Sequence, residues 1–180
     1  MLHRPNIIKA EDPTSVQRAS EVLGNGGVVA IPTETVYGLA AAVNNPISLN
    51  KIFSVKDRPT THPLIAHLSS FDQLHEWAIN ISDGAATVAS ACWPGPLSIL
   101  LKKSYKLSFA VTGNRDTAVF RVPANDFTRR LIDAIQVPLA APSANRFGKV
   151  SPTTAQHVLD DLGGDVDLII DGGPCTIGVE

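Results

Sequence analysis

Short apolar runs broken by glycine and proline set the rhythm of this chain. Residues 28–31, 63–66, 97–101, 137–141 and 168–170 are each a few residues long and almost wholly apolar. A run of that length bounded by turn residues is the pattern of a strand buried on both faces. Residues 117–122 alternate and predict another strand, with Arg121 inside it. Between the runs, apolar positions recur at helical spacing: Val16, Ala19 and Leu23, then Ile47, Ile52 and Phe53. Further helices are predicted over 71–78, 83–92, 127–135 and 153–162.

The punctuation supports these elements. Asp12-Pro13-Thr14 and Ser151-Pro152 read as helix N-caps followed by proline at the first helical position, and Asn45-Pro46 starts another helix. Residues 24–27 and Gly163-Gly164 close helices. Pro59 stops the second helix near Lys56. Trp93-Pro94-Gly95-Pro96 ends a helix and hands the chain to a strand, a structural role; residues 110–116 read as a loop. Strands alternating with helices predict an α/β protein built on a sheet. No repeat, low-complexity tract or linker interrupts the pattern, so the 180 residues read as one domain.

Composition narrows the class. With 44% hydrophobic and 18% charged residues the chain falls among ordinary globular proteins, and a net charge of −2 argues against wholesale coating of nucleic acid or membrane. No apolar run approaches the roughly 20 residues needed to span a bilayer. Arg4, Pro5, Lys9, Glu11 and Asp12 leave no apolar core for a signal peptide, so a cytoplasmic protein is expected. Cys92 and Cys175 lack a CxxC partner, and two idle thiols are expected rather than a disulfide scaffold or a zinc site.

Candidate chemistry gathers at the ends of the apolar runs. Lys56-Asp57-Arg58-Pro59 sets two cations two residues apart, suited to phosphate or carboxylate oxygens. Pro142-Ser143-Ala144-Asn145 sets a hydroxyl and an amide two residues apart. Thr33-Glu34-Thr35 follows one run, and its threonines either bond backbone in a turn or face a ligand. His67 ends another run, either as a packed histidine or as a ligand contact. His62 and His67 are five apart, which does not match a helical zinc pair. Arg121 is costly to bury alone, so it requires a carboxylate from the protein or from a ligand. Ser151 reads as a cap that doubles as an anion contact. Walker, dinucleotide-binding and nucleophile-elbow glycine motifs are absent from the sequence, so a nucleotide would be held by scattered side chains and helix ends.

Residues 27–39, from Gly27 through Pro32-Thr33-Glu34-Thr35 to Leu39, resemble the opening signature of the YrdC-like family, the threonylcarbamoyl-AMP synthases. Lys56-Asp57-Arg58-Pro59, Pro63-Leu64-Ile65-Ala66-His67, Trp93-Pro94-Gly95-Pro96-Leu97, Arg121-Val122-Pro123 and Ala141-Pro142-Ser143-Ala144-Asn145 resemble it too, in order, from about Ala19 onward. The resemblance implies an open twisted α/β sheet with helices on its faces and a concave, positively charged groove. It implies a nucleotidyltransferase that joins L-threonine, bicarbonate and ATP into threonylcarbamoyl-AMP and releases pyrophosphate. Mg2+ would accompany ATP, with no dedicated protein metal site. A threonylcarbamoyl transferase partner would then modify adenosine 37 of tRNA.

Carried over by resemblance, Thr35, His67, Arg121 and Ser143 would bind threonine. Lys56, Arg58, His62, Thr117, Asn145 and Ser151 would bind ATP, with Lys56 and Arg58 as the catalytic cations. His62 stands where the family usually has asparagine, and Asn125 where it often has histidine. The chain ends at Gly178-Val179-Glu180, so the further C-terminal strand and any second domain of long-form members are expected to be missing from the YrdC-like domain at 1–180. The alternatives are a weak or inactive relative that binds double-stranded RNA or tRNA, and a carbamoyl-adenylate relative from hydrogenase maturation.

Overall fold

The structure, a computed structural model, describes residues 6–179. The leader reading at Arg4 and Pro5 and the last residue, Glu180, lie outside the described residues. The elements in chain order are β1 (Asn6–Lys9), α1 (Ser15–Gly24), β2 (Val29–Ile31), β3 (Gly38–Ala42), α2 (Pro46–Lys56), β4 (Ile65–His67) and α3 (Phe71–Trp77). They continue with β5 (Ala78–Ile79), α4 (Asp83–Cys92), β6 (Ile99–Lys103), α5 (Phe109–Thr112), β7 (Thr117–Arg121) and α6 (Asp126–Ile135). β8 (Leu139–Ala140), α7 (Ala155–Leu162), a 3-10 turn (Gly163–Asp165) and β9 (Leu168–Asp171) complete them.

The nine strands form one sheet in the order β1-β9-β2-β3-β8-β4-β7-β6-β5. β1, β9 and β2 run parallel, as do β4 and β7, while antiparallel pairs join the rest. It is the expected α/β sheet with helices on its faces. Strand alternation divides the core in two, because successive side chains point to opposite faces. Val28, Ala30, Leu39, Ala66, Ala118 and Phe120 pack on one side with Leu49, Ile52 and Phe53 of α2 and Val158 and Leu162 of α7. Val29, Ile31, Ala40, Leu139, Leu168 and Ile170 pack on the other with Ala19 and Leu23 of α1 and Leu131 and Ile132 of α6.

The second face is covered only in part. α1 and α6 lie over the β1-to-β8 half, and the same face of β4, β7 and β6 is left open. Ile65 pairs with Val119, His67 with Arg121, Leu100 with Val119 and Lys102 with Thr117, so these residues share that open face. Leu100 is 64% exposed there, while Phe120 on the reverse is fully buried. This open face is thus sheet without a helical cover, ending at His67 and Arg121.

Several local readings change. Ser15 opens α1 and Thr14 sits at its cap position; Asp12 accepts from the backbone N–H and hydroxyl of Thr14 instead of capping the helix. Ser151 does not cap α7, which starts later at Ala155 behind a Thr154 cap that accepts from the backbone N–H of His157. Residues 109–112 form the short helix α5 inside and just before the stretch expected to be a loop. β1, β3 and β5 were not predicted. β3 is Gly-Leu-Ala-Ala-Ala, a sequence of weak strand propensity that tertiary pairing overrides. Asn45 caps α2 as expected, and α2 ends at Lys56, where Asp57 adopts a left-handed φ of 56°. Among the described residues no helix is long and apolar enough to cross a membrane.

Truncating Phe120 to alanine should cost about 3–5 kcal/mol in denaturant titrations. Leu100→Ser, on the open face, should stay within about 0.5 kcal/mol of wild type. A comparable loss at both positions would show that the open face is in fact packed.

Candidate functional site

β7 delivers Arg121 to the end of the open sheet face, where the guanidinium is 1% exposed. Its carboxylate partner is internal: Glu34 Oε1 lies 2.8 Å from Nη2. Nη2 also donates to the Thr35 hydroxyl at 3.0 Å, and Nε donates to the Gly95 carbonyl at 3.3 Å. The contact with Glu34 is an ion pair without hydrogen-bond alignment, since Glu34 Oε1 has no hydrogen-bond donor among the described residues. Glu34 Oε2 accepts from the backbone N–H of Ala124 at 3.1 Å, and the Glu34 carbonyl accepts from that of Ile177 at 3.0 Å. One acidic residue therefore ties the loop after β2 to β7, to the start of α6 and to the C-terminal segment.

Thr33 and Thr35 are both buried. The Thr33 hydroxyl donates to the Val36 carbonyl and accepts from the backbone N–H groups of Thr35 and Val36, forming the turn. Thr35 turns its hydroxyl toward Arg121 instead, 3.0 Å from that of Thr33. Thr33 thus follows the turn alternative, while Thr35 pairs with Arg121. The rigid Trp93-Pro94-Gly95-Pro96 segment also joins the site, through the Gly95 carbonyl. A side chain at Gly95 would place its first carbon 2.4 Å from the Cys92 carbonyl oxygen, so glycine is required.

His67 sits beside Arg121 in the β4–β7 register and is 1% exposed. Burial, and then the Arg121 charge, push its pKa down to about 3, against the opposing pull of the Ile65 and Leu139 backbone. The imidazole is therefore neutral at ordinary pH. Its Nδ1 has no hydrogen-bond partner among the described residues. Ser143 reaches the same end of the open face through a bridge to Gly38, and Ala144 N–H donates to the Tyr37 carbonyl at 2.7 Å.

A second cluster forms at the end of α2. Lys56 is 1% exposed, and its ammonium donates to the Ser143 carbonyl at 2.5 Å and to the Asn145 carbonyl. It fixes the Ser143–Asn145 turn from beneath. Arg58 is half-buried and donates to the Pro63 carbonyl at 2.9 Å, with burial drawing its pKa below the usual arginine value. Asn145 donates to the Arg146 and Lys149 carbonyls. His62 is exposed and meets Phe147 edge-on, with ring centroids 5.3 Å apart. A cavity of about 310 Å³ opens against Glu34, lined by Thr33, Ala124, Asn125 and Gly172 among others. A larger one, about 500 Å³, lies by the Lys51–Asp167 pair and contains none of these residues.

The buried Arg-Thr-His group and the Lys-Arg-Ser-Asn group stand at one end of the half-covered sheet. The family model Sua5_yciO_yrdC, described as "Telomere recombination", matches residues 21–180. The chain belongs to the Sua5–YciO–YrdC family. It is 42% identical to a threonylcarbamoyl-AMP synthase of Pyrococcus abyssi over 97% of this chain and 52% of that one. It is 41% identical to a Bacillus subtilis protein of the same name over 96% of this chain and 50% of that one. The structure of P. abyssi Sua5 complexed with L-threonine superposes with a TM-score of 0.92 at 40% identity, covering all of this chain and 53% of that one. The chain thus spans about half the length of these relatives.

In this Sua5–YciO–YrdC chain the fold brings Thr35, His67 and Arg121 together, Lys56 against Ser143 and Asn145, and Arg58 and His62 against Phe147. Thr117 lies at the other end of β7, on the same open face as Arg121. Ser151 is half-buried in the segment before α7, next to Pro152, whose carbonyl accepts from the Tyr37 backbone N–H at 2.8 Å. Asn125 caps α6 by accepting from the Thr128 N–H. Glu34, Gly95 and Phe147 were not assigned roles from sequence. The signal for Glu34 was present: a buried arginine demands a carboxylate, and Thr33-Glu34-Thr35 supplies one at a neighbouring strand end.

Two outcomes follow from this geometry. Glu34→Ala should lower stability by about 1–3 kcal/mol, because it takes a carboxylate away from a buried guanidinium and the acceptor away from the Ala124 N–H; denaturation of the variant measures this, and an unchanged stability would contradict the pairing. For His67, the unfolded chain takes up a proton below about 6.5 and the folded protein only near 3. Its contribution to stability is complete above the unfolded value and is lost as pH falls through that window, by up to about 1.4 kcal/mol per pH unit. Denaturation midpoints followed from pH 7 to pH 4 should show this slope in wild type and a smaller one in His67→Gln.

Proposed function

We propose that this chain carries the threonine- and ATP-binding site of an L-threonylcarbamoyladenylate synthase. The observation that supports this reading best is the buried Arg121, which already seats a carboxylate oxygen at 2.8 Å. A free amino acid's carboxylate matches the same guanidinium, and the unaligned Glu34 contact is the one it would replace. The Thr35 and Ser143 hydroxyls and the His67 Nδ1, which has no hydrogen-bond partner among the described residues, would then meet the substrate's hydroxyl and amine. A site that bonds a hydroxyl discriminates strongly against analogues lacking it.

In this reading the deprotonated amine of threonine attacks the carbon supplied by bicarbonate, and water leaves as the carbamate forms. A carbamate oxygen then attacks the α-phosphorus of ATP, and the bond to pyrophosphate breaks. Negative charge builds on the phosphate oxygens and the leaving group, so fixed cations aimed there are the natural catalytic contribution. Arg58 supplies one at the groove surface. Lys56 contributes from beneath the Ser143–Asn145 turn while holding that turn in shape, and Thr117 and Ser151 extend the nucleotide contacts along the groove. Holding three reactants in one orientation supplies a further share of the rate. Mg2+ would come with the nucleotide.

The product would pass to a threonylcarbamoyl transferase acting on adenosine 37 of tRNA, in the cytoplasm. Pyrophosphate release that requires both L-threonine and bicarbonate tests the activity directly. No release, with RNA binding that survives Arg121→Ala, would favour an RNA-binding relative instead. In calorimetry Arg121→Ala should weaken threonine binding at least tenfold more than ATP binding, since about 1.4 kcal/mol corresponds to each tenfold. Equal losses for the two ligands would reject the assignment of Arg121.

A further inference from the structure

Phe147 is an exposed aromatic on an unusually firm mount. The ring belongs to a residue that is 47% exposed. Its own N–H donates to the Lys56 carbonyl at 2.7 Å, which ties it to the end of α2. On one side, Asn145 spans the turn by donating to the Arg146 and Lys149 carbonyls, each at 2.8 Å. On the other, Arg146 is anchored three ways: its backbone N–H donates to Asp161, Nη1 donates to the Val55 carbonyl, and Nη2 pairs with Asp165 at 2.6 Å. A loose surface loop would not need this bracing. An apolar ring left open on a braced turn is preorganised to receive something flat, because little ordering remains to be done on binding.

Its neighbours indicate what that is. The Arg58 guanidinium lies over the ring, 5.8 Å from its centroid, and His62 approaches edge-on at an interplanar angle of 73°. A flat apolar face with a cation a few ångströms away suits a ligand that joins an aromatic ring to an anionic group. Base stacking on an aromatic side chain, with a cation nearby for phosphate, is the sequence-tolerant way in which proteins hold nucleotides.

We propose that Phe147 is the platform on which the nucleobase of the bound nucleotide stacks, with Arg58 taking the phosphates and His62 fixing the edge of the ring. This rests on the ATP reading given above and adds the subsite for the base, which the cations at Lys56 and Arg58 leave undefined. Stacking reads a π-face, so the platform favours an aromatic base over bare polyphosphate without by itself selecting adenine.

Calorimetry with ATP and with inorganic tripolyphosphate tests it, on wild type, Phe147→Ala and Phe147→Trp. Loss of the ring should weaken ATP binding about ten- to a hundredfold and leave tripolyphosphate affinity unchanged. Phe147→Trp should restore ATP affinity, and ATP should quench the added indole fluorescence while tripolyphosphate does not. If Phe147→Ala binds ATP as wild type does, or loses both ligands equally because the ring merely props Arg58, the platform is overturned while the ATP site stands. If wild type binds neither ligand, the nucleotide reading itself falls and the platform with it.

Discussion

A buried guanidinium has to be answered by an acid, and that requirement shapes this molecule around Arg121. The residue ends β7, and two segments distant in sequence supply partners for it: Glu34 and Thr35 from the loop after β2, and Gly95 from the turn after α4. Glu34 in turn binds the start of α6 and the C-terminal segment. The loops at this end of the open face are thus organised by one charge. An isolated buried charge would be prohibitive, so the site's most polar group is also the device that holds its walls together.

The open face exists because the helices stop short. α1 and α6 cover one half of a sheet face, and the strands β4, β7 and β6 keep the remaining half open. The alternation of strand side chains places Phe120 and Ala118 in the core behind it and Thr117, Val119 and Arg121 in front. Residues of the open face and packing residues are therefore neighbours in sequence and separated by the thickness of the sheet. Lys56 performs a comparable double duty in the second cluster, where its buried ammonium braces the turn that carries Ser143, Asn145 and, two residues on, Phe147.

Much of this was legible in the chain. The apolar runs located β2, β4, β6, β8 and β9 to within a few residues, the alternation of 117–122 located β7, and Asn45-Pro46 located the start of α2. The alanine-rich β3 and the two-residue β5 escaped, because their strand character comes from neighbours rather than from their own side chains. Ser151-Pro152 misled for a related reason: a serine before proline satisfies the cap pattern, but Pro152 is held by Tyr37 and the helix waits for Thr154. Arg121 announced its need for a carboxylate, yet no spacing rule names a partner 87 positions away in the chain. Phe147 was silent, since an isolated phenylalanine in a polar turn has no signature until Arg58 and His62 are seen beside it.

The decisive measurement is a crystal structure of this protein with L-threonine bound. The account predicts the threonine carboxylate on the Arg121 guanidinium, at about 3 Å, with the Glu34 carboxylate displaced from it and the threonine hydroxyl and amine facing Thr35, Ser143 and His67. Arg121 still closed on Glu34, with threonine held elsewhere or excluded, would contradict it.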